Sequence, residues 1–537
     1  MPEVDFRITW PDGTPQHCVS PSRSIEATLV AGAKYPVDEF VRRATQALRI
    51  GSDRVRAKYG FACTAAAAQS DELRQMAVRF PQGVVTVEQM GTRGGRPPAG
   101  DARSLDGRHI PVVIVGGGQA GLSASWHLCQ AGIEHVVLER HRATHTWQTQ
   151  RWDNFCLVTP NWQCRLPGHP YAGPDPDGFM VKDEILAYLD DFRRSFDPPL
   201  HEGVRVTRVG RDGGGPPDAG GAGQTGGEVD GPFTIETSAG TLTADQVIVA
   251  AGGYHVPSIP AVGGALPSHL TQVHSSHYKN AEVLPDGAVL VVGSGQSGAQ
   301  IAEDLHLAGR QVHLAVGTAP RVARFYRGRD VVAWLQDRGH YDMGIEDHPE
   351  GTAARKEANH YVTGRGGGRD IDLRKFATEG MQLHGRLQAA DGDALTFADD
   401  LAGNLDLADA TYHRINAGID AWIDEHGIDA PPAEPYAAPW HPEPGAGTAL
   451  DLRAAGVSSV IWATGFRPDW SWIDLPWADA SGYPLHERGV TPTAGLFVLG
   501  LPWLHTWGSG RFAAIDRDAA YLAERVAEHA QVADHAG

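Results

Sequence analysis

The sequence predicts an α/β chain with two Rossmann-like dinucleotide-binding domains, preceded by a small α+β domain. Three observations carry this. A buried-strand, glycine-turn, helix pattern occurs at residues 112–128 ("VVIVGGGQAGLSASWHL") and again at residues 289–305 ("VLVVGSGQSGAQIAEDL"). From Pro111 onward strand and helix patterns alternate, the signature of a parallel sheet with crossover helices. The first ~90 residues read as a separate block, cut off by "GTRGGRPPAGDARSLDGRH", a Gly/Pro/Arg-rich stretch at residues 91–109 without hydrophobic periodicity.

In the first block, residues 1–90, "VDFRITW" and "QHCVS" are strand-like and joined by the turn "PDGTP". "PVDEFVRRATQALRIGSDRVRAKYG" reads as helix. Asp38 stands near its start, and apolar residues recur at Phe40, Val41, Ala44 and Leu48. A second helical run, "SDELRQMAVRF", precedes the strand "GVVTVEQM". The remainder divides into a first part of one nucleotide domain at 110–285, a second nucleotide domain with an inserted segment at 286–450, and a return to the first domain at 451–537. The glycine-rich stretch at residues 213–231 reads as a hairpin tip between "VRVTRVG" and "FTIET".

In the first turn Gly116, Gly118 and Gly121 make GxGxxG. They serve the tight turn, the close approach of backbone to a pyrophosphate, and the packing of helix on strand. Glu139 ends the next strand, 18 residues past Gly121, where a carboxylate can take a ribose diol. This is the chemistry of FAD. The second turn has Gly293, Gly295 and Gly298, but no acid at the corresponding place. The chain instead offers Arg321, Arg324 and Arg327, with Arg321 nearest the strand end. Arginine in place of the acid suits a 2′-phosphate, hence NADPH. Two nucleotides in one chain imply hydride transfer from nicotinamide to flavin.

Composition excludes other classes. The 537 residues carry a formal net charge of −19 and no basic block, which argues against nucleic acid. No apolar run reaches the ~18 residues of a membrane span. The five cysteines form no CxxC pair, and no Cys/His cluster has metal spacing, so no metal site is expected. With no secretory pattern at the N-terminus, a cytoplasmic protein is expected. Cys156 and Cys164 have seven residues between them, not a redox spacing, and read as structural.

Residues 110–525 resemble the flavin-containing monooxygenases, the class B flavoprotein monooxygenases. The resemblance rests on GGGQAG at 116–121, GSGQSG at 293–298 and "ATGFRPD" at 463–469, which contains Thr464 and Gly465. It extends to "LERHRATHTWQTQRWDNFCLVTP", which would bring Trp147 and Arg151 near the flavin, and to "LGLPWLHTWGSG" at 499–510. The family motif FxGxxxH aligns on "SHLTQVHSSHY". His274 and Tyr278 match, whereas Ser268 and Leu270 replace Phe and Gly. The resemblance implies an NADPH-using enzyme that forms a flavin C4a-peroxide and oxygenates a small molecule, with O2 as co-substrate and Arg151, His274 and His505 as tuning residues. The alternatives are a flavin reductase or dehydrogenase without oxygen insertion, and a redox-sensing flavoprotein with a regulatory N-terminal domain. Residues 1–90 are similar to a small bacterial protein family associated with nitrogen starvation, which implies a nitrogen-containing substrate. Oligomeric state is not readable. Within 330–450, "NHYVTGRGGGRDIDLRKF", with Arg365, Arg369 and Arg374, is the most site-like part.

Overall fold

A computed structural model describes residues 3–20, 25, 28–59, 70, 73–74, 76–77, 79–80, 82–93, 105–211 and 231–536. The chain forms two compact units, 1–103 and 104–537. In the first unit β1 (Glu3–Thr9), β2 (Pro15–Ser20), β3 (Lys34–Pro36) and β4 (Val84–Arg93) make an antiparallel sheet in the order β2-β1-β4-β3. Helix α1 (Val37–Tyr59) covers it, burying Phe40, Ala44, Ala47 and Leu48 at helical spacing against Phe6, Ile8, Trp10 and Val87. β4 runs through Arg93, with Gly91, Thr92 and Arg93 paired to Asp5, Val4 and Glu3. The first three residues of the expected linker are therefore strand. Most of that linker, much of the expected second helix, and most of the expected hairpin tip at 213–231 lie outside the described residues.

The second unit is organised around two large sheets, with smaller two- and three-stranded ones beside them. The first is built from β5 (His109–Val115), helix α2 (Gln119–Gln130), β6 (His135–Glu139), helix α3 (Lys182–Phe196), β7 (Leu200–Glu202), β8 (Val206–Arg211), β9 (Phe233–Thr237) and β10 (Gly240–Val249). The strand order is β8-β9-β10-β5-β6-β7, and Leu496–Val498 pairs parallel with the end of β10. β5 is buried on both faces, which is why it reads as a continuous apolar run. Val112 and Ile114 meet Leu122, Leu128 and Ile185, while Val113 and Val115 pack on the opposite side with Val247 and Val249.

The second sheet is all parallel, comprising β11 (Thr271–His274), β12 (Ala288–Val292), β13 (Val312–Ala315), β14 (Gln382–His384) and β15 (Val457–Trp462) in the order β11-β15-β12-β13-β14. Helix α4 (Gln296–Leu307) follows β12, and helix α5 (Leu401–His426) packs on the same side through Leu401, Leu405 and Ala408. The 26-residue α5 falls in the segment 330–450, where the sequence shows little periodicity. The chain ends in α6 (Ile515–Ala536), which packs by Ile515, Ala519 and Leu522 on the core that α2 shares.

Candidate active site between two glycine turns

The two turns are built alike. Gly116 has φ +116°, and a Cβ there would lie 2.5 Å from the Ala250 carbonyl oxygen. Gly293 has φ +102°, and a Cβ would lie 2.7 Å from the Ala463 carbonyl oxygen. Only glycine meets both demands. At Gly121 and Gly298 a Cβ would overlap the carbonyl oxygen of Gly116 and of Gly293, so the helix start lies directly on its turn. At Gly118 and Gly295, by contrast, a Cβ would meet nothing within 4 Å. The space before each helix is open.

Gly118 and Gly295 are also the N-caps of α2 and α4, both extended and both without a side-chain cap. Elsewhere in the same unit, Asp330 and Asp372 cap their helices with a carboxylate. The first N–H groups of α2 and α4 are thus free to bind an anion along the favourable end of the helix dipole. Open space and uncapped donors together fit a nucleotide pyrophosphate at each turn.

The residue after the first glycine differentiates the two. The Gly117 N–H donates to Glu139 Oε2 at 2.8 Å, and the His141 N–H to Oε1 at 2.8 Å, so Glu139 is fixed beside the first turn. In the second turn Ser294 takes the equivalent place, and its Oγ accepts the Gly317 N–H at 2.9 Å. The strand beside it runs out in Ala315, Val316 and Gly317, with no acid in the place that Glu139 has beside the first turn.

The arginines expected at the second turn are used differently. Arg321 is 2% exposed. It donates from Nε to Asp409 Oδ1 at 2.6 Å and lies between Tyr412 and Tyr436, at 4.1 and 4.2 Å. Arg324 pairs with Asp330, and Arg327 with Asp420. A phosphate contact needs a presented guanidinium, so the assignment of Arg321 to a 2′-phosphate is corrected. It is a buried structural pair that pins α5 to the chain after β13. The site-like loop at 359–376 is likewise structural. Arg365 pairs with Asp304, Arg369 with Glu303, and Arg374 with Asp406 and Asp409.

The loops that lean on the two turns meet each other. From Ala250 the chain reaches Tyr254, and from Ala463 it reaches Thr464, Gly465 and Phe466. The rings of Tyr254 and Phe466 are 5.3 Å apart. The Thr464 hydroxyl donates to the Ser258 carbonyl, and the Ser258 N–H to the Gly465 carbonyl at 2.9 Å. His274, 3% exposed, donates from Nε2 to that same carbonyl at 2.9 Å, while its Nδ1 accepts the Ser276 N–H at 3.2 Å. These partners fix the Nε2–H tautomer, and burial holds the ring below the usual histidine pKa. With neither nitrogen open, His274 is a staple at the junction. Tyr278 is likewise tied, donating to Asp304 Oδ2 at 2.7 Å.

Beside the first turn, Gln119 of α2 gathers the remaining residues. Its Oε1 accepts Trp147 Nε1–H at 2.9 Å, and its Nε2 donates to the Gly510 carbonyl at 3.1 Å. Trp147 stacks on Phe512 at 5.4 Å. Arg151 lies over Trp147 at 4.9 Å. The 499–510 loop and its continuation are thereby brought to the first turn. His505 stands on this loop with Nε2 3.6 Å from Glu346, and burial lowers its pKa. Arg511, one residue beyond the quoted motif, stacks on Trp507 at 3.9 Å. Arg511, Tyr254 and Phe466 were not singled out from sequence. Only their place next to recognised glycine motifs could have marked them.

Comparison with known proteins agrees with this construction. Residues 109–151 match the FAD binding domain, and residues 227–339 the pyridine nucleotide-disulphide oxidoreductase domain. Residues 5–90 match the nitrogen starvation-induced protein NitG. A protein of Geobacillus kaustophilus described as an uncharacterized oxidoreductase CzcO-like is 30% identical over 427 residues, covering 78% of this chain and 99% of its own. The chain belongs to the CzcO-like oxidoreductases. This CzcO-like chain is also 30% identical over 211 residues to the indole-3-pyruvate monooxygenase YUCCA4 of Oryza sativa subsp. japonica, covering 36% of this chain and 44% of that protein. A flavin-containing monooxygenase from Stenotrophomonas maltophilia shares the fold, with TM-score 0.53 and 19% identity over 79% of this chain and 99% of its own. The CzcO-like chain is therefore an enzyme, an oxidoreductase that uses FAD and NADPH. Among the described residues no helix is long and apolar enough to cross a membrane, and no His/Cys/Asp/Glu group could hold a metal ion.

Proposed function

We propose that this chain is an NADPH-dependent flavin monooxygenase acting on a small organic molecule, with O2 as co-substrate. The observation that carries the reading is the run of contacts joining the two turns, from Gly116 through Ala250, Tyr254, Phe466 and Ala463 to Gly293, with no thiol pair in it. FAD, which the first turn and Glu139 would hold, would supply the redox chemistry by which the two electrons of NADPH and a proton reduce O2, one oxygen atom entering the substrate and the other leaving as water. The chain's own residues orient and shield. The uncapped ends of α2 and α4 take the two pyrophosphates, and Glu139 takes the FAD ribose. His274 and Thr464 hold the 463–466 loop against the 250–258 segment, so the nicotinamide side cannot drift from the flavin side. Trp147, Phe512 and Trp507 keep water from the ring.

A dithiol reductase is disfavoured by the cysteines. Cys156 and Cys164 are free and buried, and burial pushes their thiols up to about 11 and about 12. Such thiols stay protonated, whereas disulfide exchange needs a thiolate. The match of residues 5–90 to NitG supports a substrate drawn from nitrogen metabolism.

The test is to reduce the holoenzyme with NADPH under argon, mix it with O2, and follow flavin reoxidation together with released H2O2. Delayed reoxidation, with H2O2 appearing only as oxidised flavin returns, supports a protected oxygenating site. Immediate reoxidation with stoichiometric H2O2 would replace the proposal with an oxidase or reductase activity.

A further inference from the structure

The segment that follows the first nucleotide turn is shared between the two nucleotide halves. Trp147 packs on the core of the first sheet, Trp152 is buried in the core of the second, and Phe155 touches both cores. The three rings form a row, in which Phe155 meets Trp147 edge-on at 6.0 Å and Trp152 edge-on at 5.0 Å. At one end the row is bolted to α2, since Trp147 Nε1–H donates to Oε1 of Gln119, the first residue of that helix. At the other end it is bolted to α4. Asn154 Nδ2 donates to Asp304 Oδ1 at 2.9 Å. Asp304, 2% exposed, also accepts the Tyr278 hydroxyl on Oδ2 at 2.7 Å and an Arg365 N–H on Oδ1 at 2.6 Å.

Besides Asn154, the partners of Asp304 come from two other stretches, and each of these is itself held to the 149–157 segment. Next to Tyr278, Lys279 donates from Nζ to the carbonyls of Thr149 and Arg151, the latter at 3.2 Å, and its own carbonyl accepts the Asp153 N–H at 2.8 Å. Next to Arg365, Gly364 lies so close to Leu157 that a Cβ would be 2.1 Å from the Leu157 carbonyl oxygen. The same loop reaches the start of α4, where Gln296 Nε2 donates to the Val362 carbonyl at 2.7 Å. The segment therefore runs from the first residue of α2 to α4, the two helices whose uncapped ends fit the FAD and NADPH pyrophosphates. A packed spacer between those helices sets the distance between the two nucleotides.

We propose that Asp304 is a positioning residue for hydride transfer from NADPH to FAD. By fixing Asn154, Tyr278 and Arg365 at once, it holds the 147–155 segment on α4 and so keeps the nicotinamide within reach of the flavin. In that step the hydride, with its electron pair, leaves the nicotinamide and enters the flavin, giving NADP+ and reduced FAD. Asp304 acts through the segment, not on the hydride. Transfer depends steeply on such placement, on the order of 100-fold for ~1 Å. A buried carboxylate that satisfies three donors admits one arrangement, whereas an amide in its place turns one accepting oxygen into a further donor. The inference rests on the use of FAD and NADPH, not on oxygen insertion.

The experiment compares Asp304→Asn with wild type as holoenzymes under argon. Flavin reduction is followed by stopped flow at saturating NADPH, NADP+ binding to the oxidised enzyme by the flavin difference spectrum, and amide exchange of residues 150–155 against that of β12. Asp304→Asn should reduce its flavin about tenfold more slowly or worse. NADP+ affinity and FAD content should stay at wild type, and exchange should quicken in 150–155 but not in β12. Asn154→Ala should also slow reduction, and adding it to Asp304→Asn should add nothing, because the link is already broken. Tyr278→Phe, which takes one hydroxyl from the same joint, is the second variant if Asp304→Asn does not fold, and it too should slow reduction. A wild-type reduction rate in the folded variant, whatever its Tm, would make Asp304 a structural residue only and overturn the proposal. A slower rate explained by weaker NADP+ binding, loss of FAD, unchanged exchange at 150–155, or additive effects in the double variant would each overturn it too. No oxygen is present, so the oxygenation reading stands or falls separately.

Discussion

Asp409→Ala is the most informative single change in the nucleotide-binding unit. Asp409 projects from α5 and accepts from Arg321 Nε at 2.6 Å and from Arg374 Nε at 2.8 Å. Both arginines are 2% exposed. Arg374 retains Asp406 after the substitution, but Arg321 keeps only two tyrosine faces. Removing one partner of a buried pair and leaving the other charge uncompensated costs about 3–5 kcal/mol. At roughly 1 °C per kcal/mol for a unit spanning 104–537, the apparent Tm should fall by about 3–5 °C. The assay is thermal melting of the holoenzyme, followed by flavin fluorescence and far-UV circular dichroism. Arg321→Met keeps the stem between the tyrosines and leaves Asp409 paired with Arg374, so it should cost less. The ratio of NADPH to NADH affinity should not move in either variant. An unchanged Tm, together with a selective loss of NADPH affinity in Arg321→Met, would refute the structural assignment and return Arg321 to the 2′-phosphate.

Three further outcomes are expected. Gly118→Ala should fold with a wild-type Tm yet purify with reduced FAD content, because its Cβ meets no protein atom but enters the pyrophosphate's space; Gly121→Ala should fail at folding, because its Cβ overlaps the Gly116 carbonyl. His384, beside His313 at 3.0 Å, is pushed down to about 4 by burial and then by that neighbour. Its folded pKa lies below the unfolded value near ~6.5, so the stability it contributes is present above pH ~6.5 and is lost as pH falls toward about 4. Urea midpoints between pH 7 and 4.5 should show a shallower acid decline in His384→Gln than in wild type. Removing residues 1–103, a compact unit by itself, should leave FAD content and NADPH oxidation intact in the remainder; loss of either would make the NitG-like unit part of the active site.

The sequence by itself determined the elements whose requirements are local. A glycine that must adopt positive φ beneath a crossing carbonyl leaves its mark at one position, so both turns at 116–121 and 293–298 were legible, as were their strands and helices. Glu139 was legible because its place two residues from His141 and at the end of β6 is a matter of spacing along one chain segment. The helix α1 showed through its apolar period. Tertiary structure alone decided the fate of the charged side chains. A guanidinium is a ligand contact or a structural pair according to whether a carboxylate folds beside it. The carboxylate of Arg321 comes from 88 residues away, on a helix whose weak periodicity hid it. The same holds for His274, tied by a carbonyl 191 residues distant. Charge pairing depends on through-space distance and burial, and neither is written in local spacing.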